Sequence, residues 1–176
     1  MIVALQKRKE NIVEYLIYMW QVEDLIRACK FDMESIEKQI ISQYDQPENV
    51  KREIRIWYSE LVDMMRQENV MEYGHIQINK NIVIDLSELH LQLLNTSEEA
   101  VYKSLYYKAL PFIVQLRSKS GGNGISEIET CLTAVYGFLL LKLQCKKISE
   151  DTVNAIKQIG VFLAFLAEKH KESCLI

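Results

Sequence analysis

The hydrophobic positions of this chain recur every three to four residues almost from end to end, which is the spacing of helices that bury one face. Only the stretch from Ile76 to Ile84 alternates in the manner of a β-strand. We therefore predict an all-α fold, in which residues 1–176 form a single helical domain, a bundle of about six to seven helices.

Capping patterns and periodicity give the predicted boundaries. Three helices are expected to begin after capping-box spacings, formed by Asp45 with Glu48, Thr96 with Glu99 and Ser126 with Glu129. The first of these covers about residues 47–73, and further helices are predicted at about residues 5–30, 33–43, 82–95 and 150–171. Because the first and sixth helices are apolar on nearly all sides, we expect both to lie deep in the bundle.

Glycine and proline punctuate this pattern at three places. Gly74 is expected to end the third helix as a C-terminal cap, and Pro111 is expected to kink the fifth helix without breaking it. The run "SKSGGNG" predicts a flexible loop at about residues 118–125. No Lys-Ser or Lys-Thr pair follows its glycines and no strand precedes them, so it resembles a linker more than a phosphate-binding loop.

The stretch "YMWQVEDLIR" places charged residues in the apolar arc of the first helix. Counting 100° per residue from Ile12, Glu23 falls at about 20° and Arg27 at about 60°. A carboxylate removed from water must be paired, protonated or hydrated. The i,i+4 spacing suits a structural ion pair between Glu23 and Arg27, with Asp24 on the flank. The other reading is a carboxylate that binds a ligand or takes part in catalysis.

Histidine raises the same question in the fourth helix, where His90 falls between Leu86 and Leu94. One reading is a core histidine whose hydrogen bonds are satisfied. The other is that Glu23 meets His90 and orients it, as in a general base or a ligand site. His75 follows Gly74 and is expected in a loop.

These residues define a candidate ligand site. Glu23, Arg27 and His90 would supply its charge, with Trp20 and Tyr18 as walls, and Arg27 would clamp a small anionic ligand. The spacing of the histidines matches no compact set of metal ligands, and no Glu-x-x-His pattern of a metal-binding bundle occurs. We expect neither a metal nor another cofactor.

Charge and composition narrow the classes further. The net charge is −3, and the run of bases at residues 7–9, read as a solvated helix start, is too short for a nucleic-acid-binding surface. A helix-turn-helix regulator is disfavoured because no basic recognition helix follows a short turn. No apolar run of about 18 residues occurs, so we expect no membrane contact and a cytoplasmic location. The four cysteines lack paired spacing and are expected to be buried reduced thiols.

Three stretches carry a resemblance: "ENIVEYLIYMWQVEDLIRA", "GHIQIN" with "ELHLQLL", and "IETCLTAVYGFLLLKL". They resemble an uncharacterised family of small, all-helical bacterial proteins, classed as a domain of unknown function. The resemblance covers almost the full chain and implies a single intracellular domain. It implies no activity, cofactor or site residue.

Two functions are compatible with these patterns. The favoured hypothesis is a non-enzymatic helical protein that acts through self-association, as a homo-oligomer, or through binding another protein, because two helices are more apolar than a small monomer readily covers. The alternative is a small-molecule-binding protein or an enzyme with a pocket lined by Glu23, Arg27 and His90.

Overall fold

The computed structural model describes residues 2–120 and 124–173, and over those ranges it contains eight α-helices, a short 3-10 helix and no β-strand. The all-α prediction is confirmed, while the number of helices is larger than the six to seven expected. The apolar alternation near Ile76 is not a strand. The α-helices are α1 Ile2–Glu10, α2 Ile12–Ala28, α3 Met33–Gln39, α4 Glu48–Gln67, α5 Gln77–Asn95, α6 Ala100–Ser120, α7 Glu127–Leu143 and α8 Glu150–Ser173, and the 3-10 helix is Ile41–Gln43.

The first predicted helix is two helices, because Asn11 interrupts it. The Asn11 side chain accepts a hydrogen bond from the backbone N–H of Val13 at 3.0 Å, which satisfies an orphan donor at the start of α2. The bases at residues 7–9 therefore lie in the last turn of α1, where positive charge is favourable. Their interpretation as the start of a helix was wrong.

Helix α4 ends at Gln67, well before the expected Gly74. Asn69 adopts the left-handed conformation with φ of 56°. The backbone N–H of Val70 donates to the Met65 carbonyl at 3.0 Å and that of Asn69 to the Arg66 carbonyl at 3.2 Å. This pair of bonds is a Schellman motif, in which an asparagine takes the place that glycine more often fills.

The three capping predictions have different outcomes. Helix α4 begins without a side-chain cap hydrogen bond, so the predicted cap by Asp45 was wrong. Ser126 accepts a hydrogen bond from the Glu129 backbone N–H at 3.0 Å, so the cap of α7 is confirmed. The Thr96 hydroxyl instead donates to the Gln92 carbonyl at 2.9 Å, so the predicted cap of α6 was wrong. Helix α6 continues through Pro111, as expected.

The chain divides into two compact units, which we describe separately. The first contains the chain up to Lys9 together with Glu14–Asn81, and the second contains Glu10–Val13 and the chain from Ile82 onward. The largest fully buried side chains of the first unit are Leu16, Ile26, Ile36, Ile41, Tyr58, Met65 and Ile76. Those of the second are Leu86, Tyr102, Ile113, Ile128 and Phe162. The single-domain organisation stays a prediction.

Among the described residues, every helix is either too short or too polar to cross a membrane.

Candidate functional site

In the first unit, Glu23 of α2 is completely buried and is bound by three donors that lie about fifty residues further along the chain. Its carboxylate accepts hydrogen bonds from the Asn79 side-chain amide at 2.8 Å and from the Ile76 backbone N–H at 3.2 Å. The third partner is Nδ1 of His75, at 2.5 Å. The burial that the apolar arc indicated is therefore real, and it is compensated by polar contacts.

These contacts form because α5 begins at this point. The Ile76 carbonyl accepts the first intrahelical bond, from the Asn79 N–H at 3.0 Å, so the N–H groups before it have no helical partner. Glu23 takes the Ile76 N–H, and the Glu68 carboxylate takes the Gln77 N–H at 2.5 Å. Both carboxylates also lie at the positive end of the helix dipole, which stabilises their charge.

Arg27 does not pair with Glu23, contrary to the favoured interpretation of their spacing. Its guanidinium donates to the Asp24 carboxylate at 2.7 Å, to the Val70 carbonyl at 3.0 Å and to the Gly74 carbonyl. The Arg27 side chain is 15% exposed, and its Nε is a buried donor with no acceptor among the described residues. The Glu23 carboxylate already has three hydrogen-bond partners, whereas the loop carbonyls of Val70 and Gly74 need donors. Arg27 therefore binds the loop.

Trp20 completes this group by covering His75. The two rings are parallel within 9°, with their centroids 4.1 Å apart, and the His75 side chain is 29% exposed. A carboxylate only accepts hydrogen bonds, so Nδ1 of His75 carries the proton that faces Glu23. In the neutral ring, Nε2 then offers a lone pair, which can accept a proton or form one bond to a metal.

A metal centre would need further ligands beside His75. Across residues 2–120 and 124–173, no group of three or more His, Cys, Asp or Glu side chains is placed to hold a metal ion. The chemistry that the group itself supports is hydrogen bonding and proton transfer at one imidazole.

Tyr18, the second predicted wall residue, belongs to a different cluster of the first unit. Its hydroxyl is hydrogen-bonded to Tyr44, which also bonds Tyr58, and burial raises the pKa of Tyr18 well above its ordinary value. The structure therefore brings Trp20, Glu23 and Arg27 together around one loop and leaves Tyr18 outside that group.

His90 lies in the second unit with its own partners. Its Nδ1 is 2.7 Å from the Tyr102 hydroxyl, and its Nε2 is 3.6 Å from the Glu127 carboxylate. The Tyr106 hydroxyl donates to the same carboxylate at 2.9 Å. Burial lowers the pKa of His90, and the charge of Glu127 opposes that shift. Glu23 and His90 thus belong to different units, and the partners of each lie in its own unit.

A second feature of this unit is the end of the helical hairpin formed by α7 and α8. No residue from 137 to 158 is buried, whereas earlier in α7 Ile128, Cys131 and Leu132 are fully covered. We call residues 137–158 the hairpin end. Its apolar side chains are Phe138, Leu139, Leu140, Leu141, Leu143, Ile148, Val153, Ala155 and Ile156. The sixth predicted helix, which we expected to lie deep in the bundle, is therefore buried in its first turns and not in its last ones.

The hairpin end also carries opposite charges side by side. Lys146 and Lys147 lie in the connection between the helices, and Glu150 and Asp151 form the first turn of α8. All four side chains belong to exposed residues. The surface therefore combines half-buried and exposed apolar side chains with one pair of positive and one pair of negative side chains.

Sequence comparison places this fold in a known family. The chain belongs to the family Domain of unknown function (DUF4924), which matches residues 1–174. No curated protein and no solved structure matches it. The resemblance to an uncharacterised family is confirmed. Because this is a family of unknown function, the match assigns no role to Glu23, His75 or the hairpin end.

Sequence reasoning about this DUF4924 chain placed His75 in a loop and missed its contact with Glu23. A signal was present, since "GHIQIN" supplies a histidine, an asparagine and the unpaired N–H groups of a helix start within six residues. Such a segment is rich in the donors that a buried carboxylate needs.

Cysteine burial also differs from the expectation. Cys29 and Cys131 are buried free thiols, whereas Cys145 is exposed, with φ of 53°, just after α7. Cys174 lies outside the described residues.

Proposed function

We propose that this protein is a non-enzymatic binding protein that associates with a second copy of itself through the hairpin end. The observation that carries the proposal is the run of 22 residues, 137–158, in which apolar side chains are frequent and none is buried. Leu143 is 66% exposed, Val153 45% and Leu141 40%. Soluble monomers rarely leave contiguous apolar patches of this kind uncovered, and such patches commonly mark protein interfaces.

Charge on the hairpin end supports a second copy as the partner. In a two-fold interface, if residue i of one copy contacts residue j of the other, then j also contacts i. A surface with a positive pair at Lys146 and Lys147 and a negative pair at Glu150 and Asp151 can therefore match itself. An unrelated partner would need acidic side chains opposite the two lysines and basic side chains opposite the two acids.

The alternative, a ligand site lined by Glu23, Arg27 and His90, has weaker support. The Glu23 carboxylate is buried and already accepts from three donors, and the Arg27 guanidinium is bound to a carboxylate and two carbonyls. A ligand would have to displace contacts that hold the start of α5. The small anionic ligand, the bacterial source and the cytoplasmic location stay predictions made from the sequence.

Sedimentation equilibrium and light scattering test the proposal. We expect the unaltered protein to be a dimer at about 10 μM, and the double variant Leu141→Glu, Leu143→Glu to be a monomer, because two carboxylates cannot enter a dry interface without partners. Leu91→Glu is the matched control. Leu91 is 58% exposed on α5 of the same unit, lies outside the hairpin end, and should leave the dimer intact.

Charge reversal gives a second and more specific test. Lys146→Glu with Lys147→Glu should weaken self-association, and so should Glu150→Lys with Asp151→Lys, while an equimolar mixture of the two variants should form a heterodimer. A wild-type monomer at about 100 μM would overturn the proposal. So would a Leu141, Leu143 double variant that dimerises as well as the Leu91 control.

A further inference from the structure

The first unit contains a cavity of about 340 Å³. Its described lining includes none of the group formed by Trp20, Glu23, Arg27 and His75. Val3 and Leu5 of α1 form one wall, and Val50 and Ile54 of α4 form another. Tyr44 and Glu53 add polar groups to the lining. A volume of this order lies within the range of small-molecule sites, which combine mainly apolar walls with a few polar groups.

The walls of this cavity are only partly covered by the protein itself. Leu5 is 59% exposed and Val3 is 36% exposed, and Ala4 between them is the buried residue of that turn. Helix α1 thus contributes two solvent-exposed apolar side chains to the lining of the cavity. An apolar molecule bound there would remove both side chains from water, which is favourable in proportion to the apolar area that it covers.

Glu53 gives the cavity its charge preference. Within the described part of the chain, its carboxylate has no hydrogen bond and no ion pair, although its neighbours on α4 do. Lys51 contacts Glu48 at 3.9 Å, and Arg55 contacts Glu37 at 2.7 Å. Lys51 and Arg55 are therefore engaged with other acids, and Glu53 is the one charged residue in the described lining of the cavity.

We propose that this cavity binds a small amphiphile with an aliphatic body and a cationic amine head, the body between α1 and α4 and the amine beside Glu53. The apolar walls fix the body by burial, and the free carboxylate selects the head by charge. The site lies in the first unit, whereas the proposed self-association uses the hairpin end of the second, so the two proposals are independent.

Three probes with the same chain and different heads test the inference: octylamine, octanol and octanoate. Binding is measured by isothermal titration calorimetry on the full chain, with the shift in thermal midpoint as a second readout. We expect saturable binding of octylamine, at least about fivefold tighter than that of octanoate, with octanol between them. Octylamine and octanoate binding equally would overturn the proposal, and so would no saturable binding of any probe.

Two charge variants separate recognition by Glu53 from a general effect of protein charge. Glu53→Gln should reduce octylamine affinity to the level of octanol. Glu60→Gln removes the same charge two turns further along α4, at an exposed residue outside the cavity lining, and should leave the preference for octylamine unchanged. Equal behaviour of the two variants would contradict the assignment of Glu53.

Filling the cavity tests its location. Val50→Trp should abolish octylamine binding while the circular dichroism spectrum stays helical. Leu5→Trp provides the same test from the other wall, at a position exposed enough to accept a larger side chain without disturbing the core. Full binding by a folded variant of either kind would overturn the location. The Leu141, Leu143 double variant should bind octylamine normally, which separates a failure here from a failure of self-association.

Discussion

Glu23 is an acid inside a protein core, and three donors make that position tolerable. Its partners satisfy both carboxylate oxygens, two of them on Oε1 and His75 on Oε2. Two of those donors, the Ile76 N–H and the Asn79 amide, are themselves buried and would lack an acceptor without Glu23. The residue therefore stabilises the fold by satisfying groups that α5 cannot satisfy alone.

The first prediction concerns this residue. Glu23→Ala should lower the free energy of unfolding by about 3 kcal/mol, because it leaves buried donors unpaired, and Glu23→Gln should cost less because its amide oxygen still accepts one bond. Urea denaturation followed by circular dichroism measures both. Glu14→Ala, on the same helix, removes an exposed ion pair with Lys7 at 3.0 Å, so it is the control and should cost at most about 1 kcal/mol. Equal losses for Glu23→Ala and Glu14→Ala would contradict the role given to Glu23.

For single residues such as Glu23, the sequence predicted burial correctly but did not predict the hydrogen-bond partners. The helical period alone placed Glu23 on the apolar face, because a residue's direction depends only on its neighbours in the helix. Its main partner, His75, is 52 positions away, and no local pattern records which distant segment will arrive. The local partner, Arg27, was the obvious choice and was wrong, since a guanidinium fork suits several loop carbonyls at once.

Among the elements, the connection between α4 and α5 is held by polar contacts from α2. Arg27 binds the Val70 and Gly74 carbonyls, while Glu23 binds the start of α5. Tyr73 in the same connection is 81% exposed, so few apolar contacts can hold its tip. The conformation of this loop therefore depends on hydrogen bonds to one helix face.

The second prediction follows for residues 70–76. Arg27→Met keeps the apolar stem of the side chain and removes every donor, so amide hydrogen exchange should rise in residues 70–76 and stay nearly unchanged in α8. Hydrogen exchange with mass spectrometry measures the change by segment. Arg55→Met removes an exposed ion pair with Glu37 and serves as the control. Unchanged exchange in residues 70–76 would show that Arg27 does not fix the loop.

Helix type was predictable from periodicity, while helix ends were less so. The apolar spacing is almost continuous across Asn11, so periodicity predicts a single helix. In the structure, the Asn11 side chain caps a new helix, and there are two. At the end of α4, Asn69 fills a left-handed position that sequence reasoning assigned to Gly74. Asparagine tolerates that conformation well enough to act as a cap, and its presence alone does not identify one.

For the whole molecule, the pH dependence of stability should depend on His90. Burial lowers its pKa from the ordinary value of 6.5, with Tyr102, Tyr106 and Glu127 around it. The unfolded chain therefore binds a proton more readily than the folded chain. The stability that His90 contributes is present above pH 6.5 and is lost as the pH falls from there through the lowered pKa.

The third prediction is that His90→Gln flattens this dependence. Its amide can still bond the Tyr102 hydroxyl but cannot take up a proton, so the loss of unfolding free energy between about pH 7.5 and 5 should be smaller than in the unaltered protein. Urea denaturation across that range measures it. Leu91→Gln changes an exposed residue next to His90 on α5 without adding or removing a titratable group, so it is the control and should keep the original slope. Parallel slopes for the unaltered protein and His90→Gln would contradict the assignment.

The overall class followed from the sequence because an all-helical pattern leaves few alternatives. The location of the uncovered apolar surface did not. The apolar composition of α7 indicates that other helices should pack against most of its surface, and in its first turns the apolar side chains are buried in this way. Which turns stay uncovered depends on where the neighbouring helices end, and that is decided by the packing of the entire chain.

The exposed thiol of Cys145 lies inside the hairpin end. A maleimide reagent should therefore label it quickly in dilute protein and slowly once a second chain covers that surface, with Cys174 replaced by serine so that one signal is read. Cys29 and Cys131 are shielded in the folded state and give the slow baseline. The alkylation rate of Cys145 therefore reports whether a second chain covers the hairpin end. Measured across a dilution series, it would follow self-association without any added label.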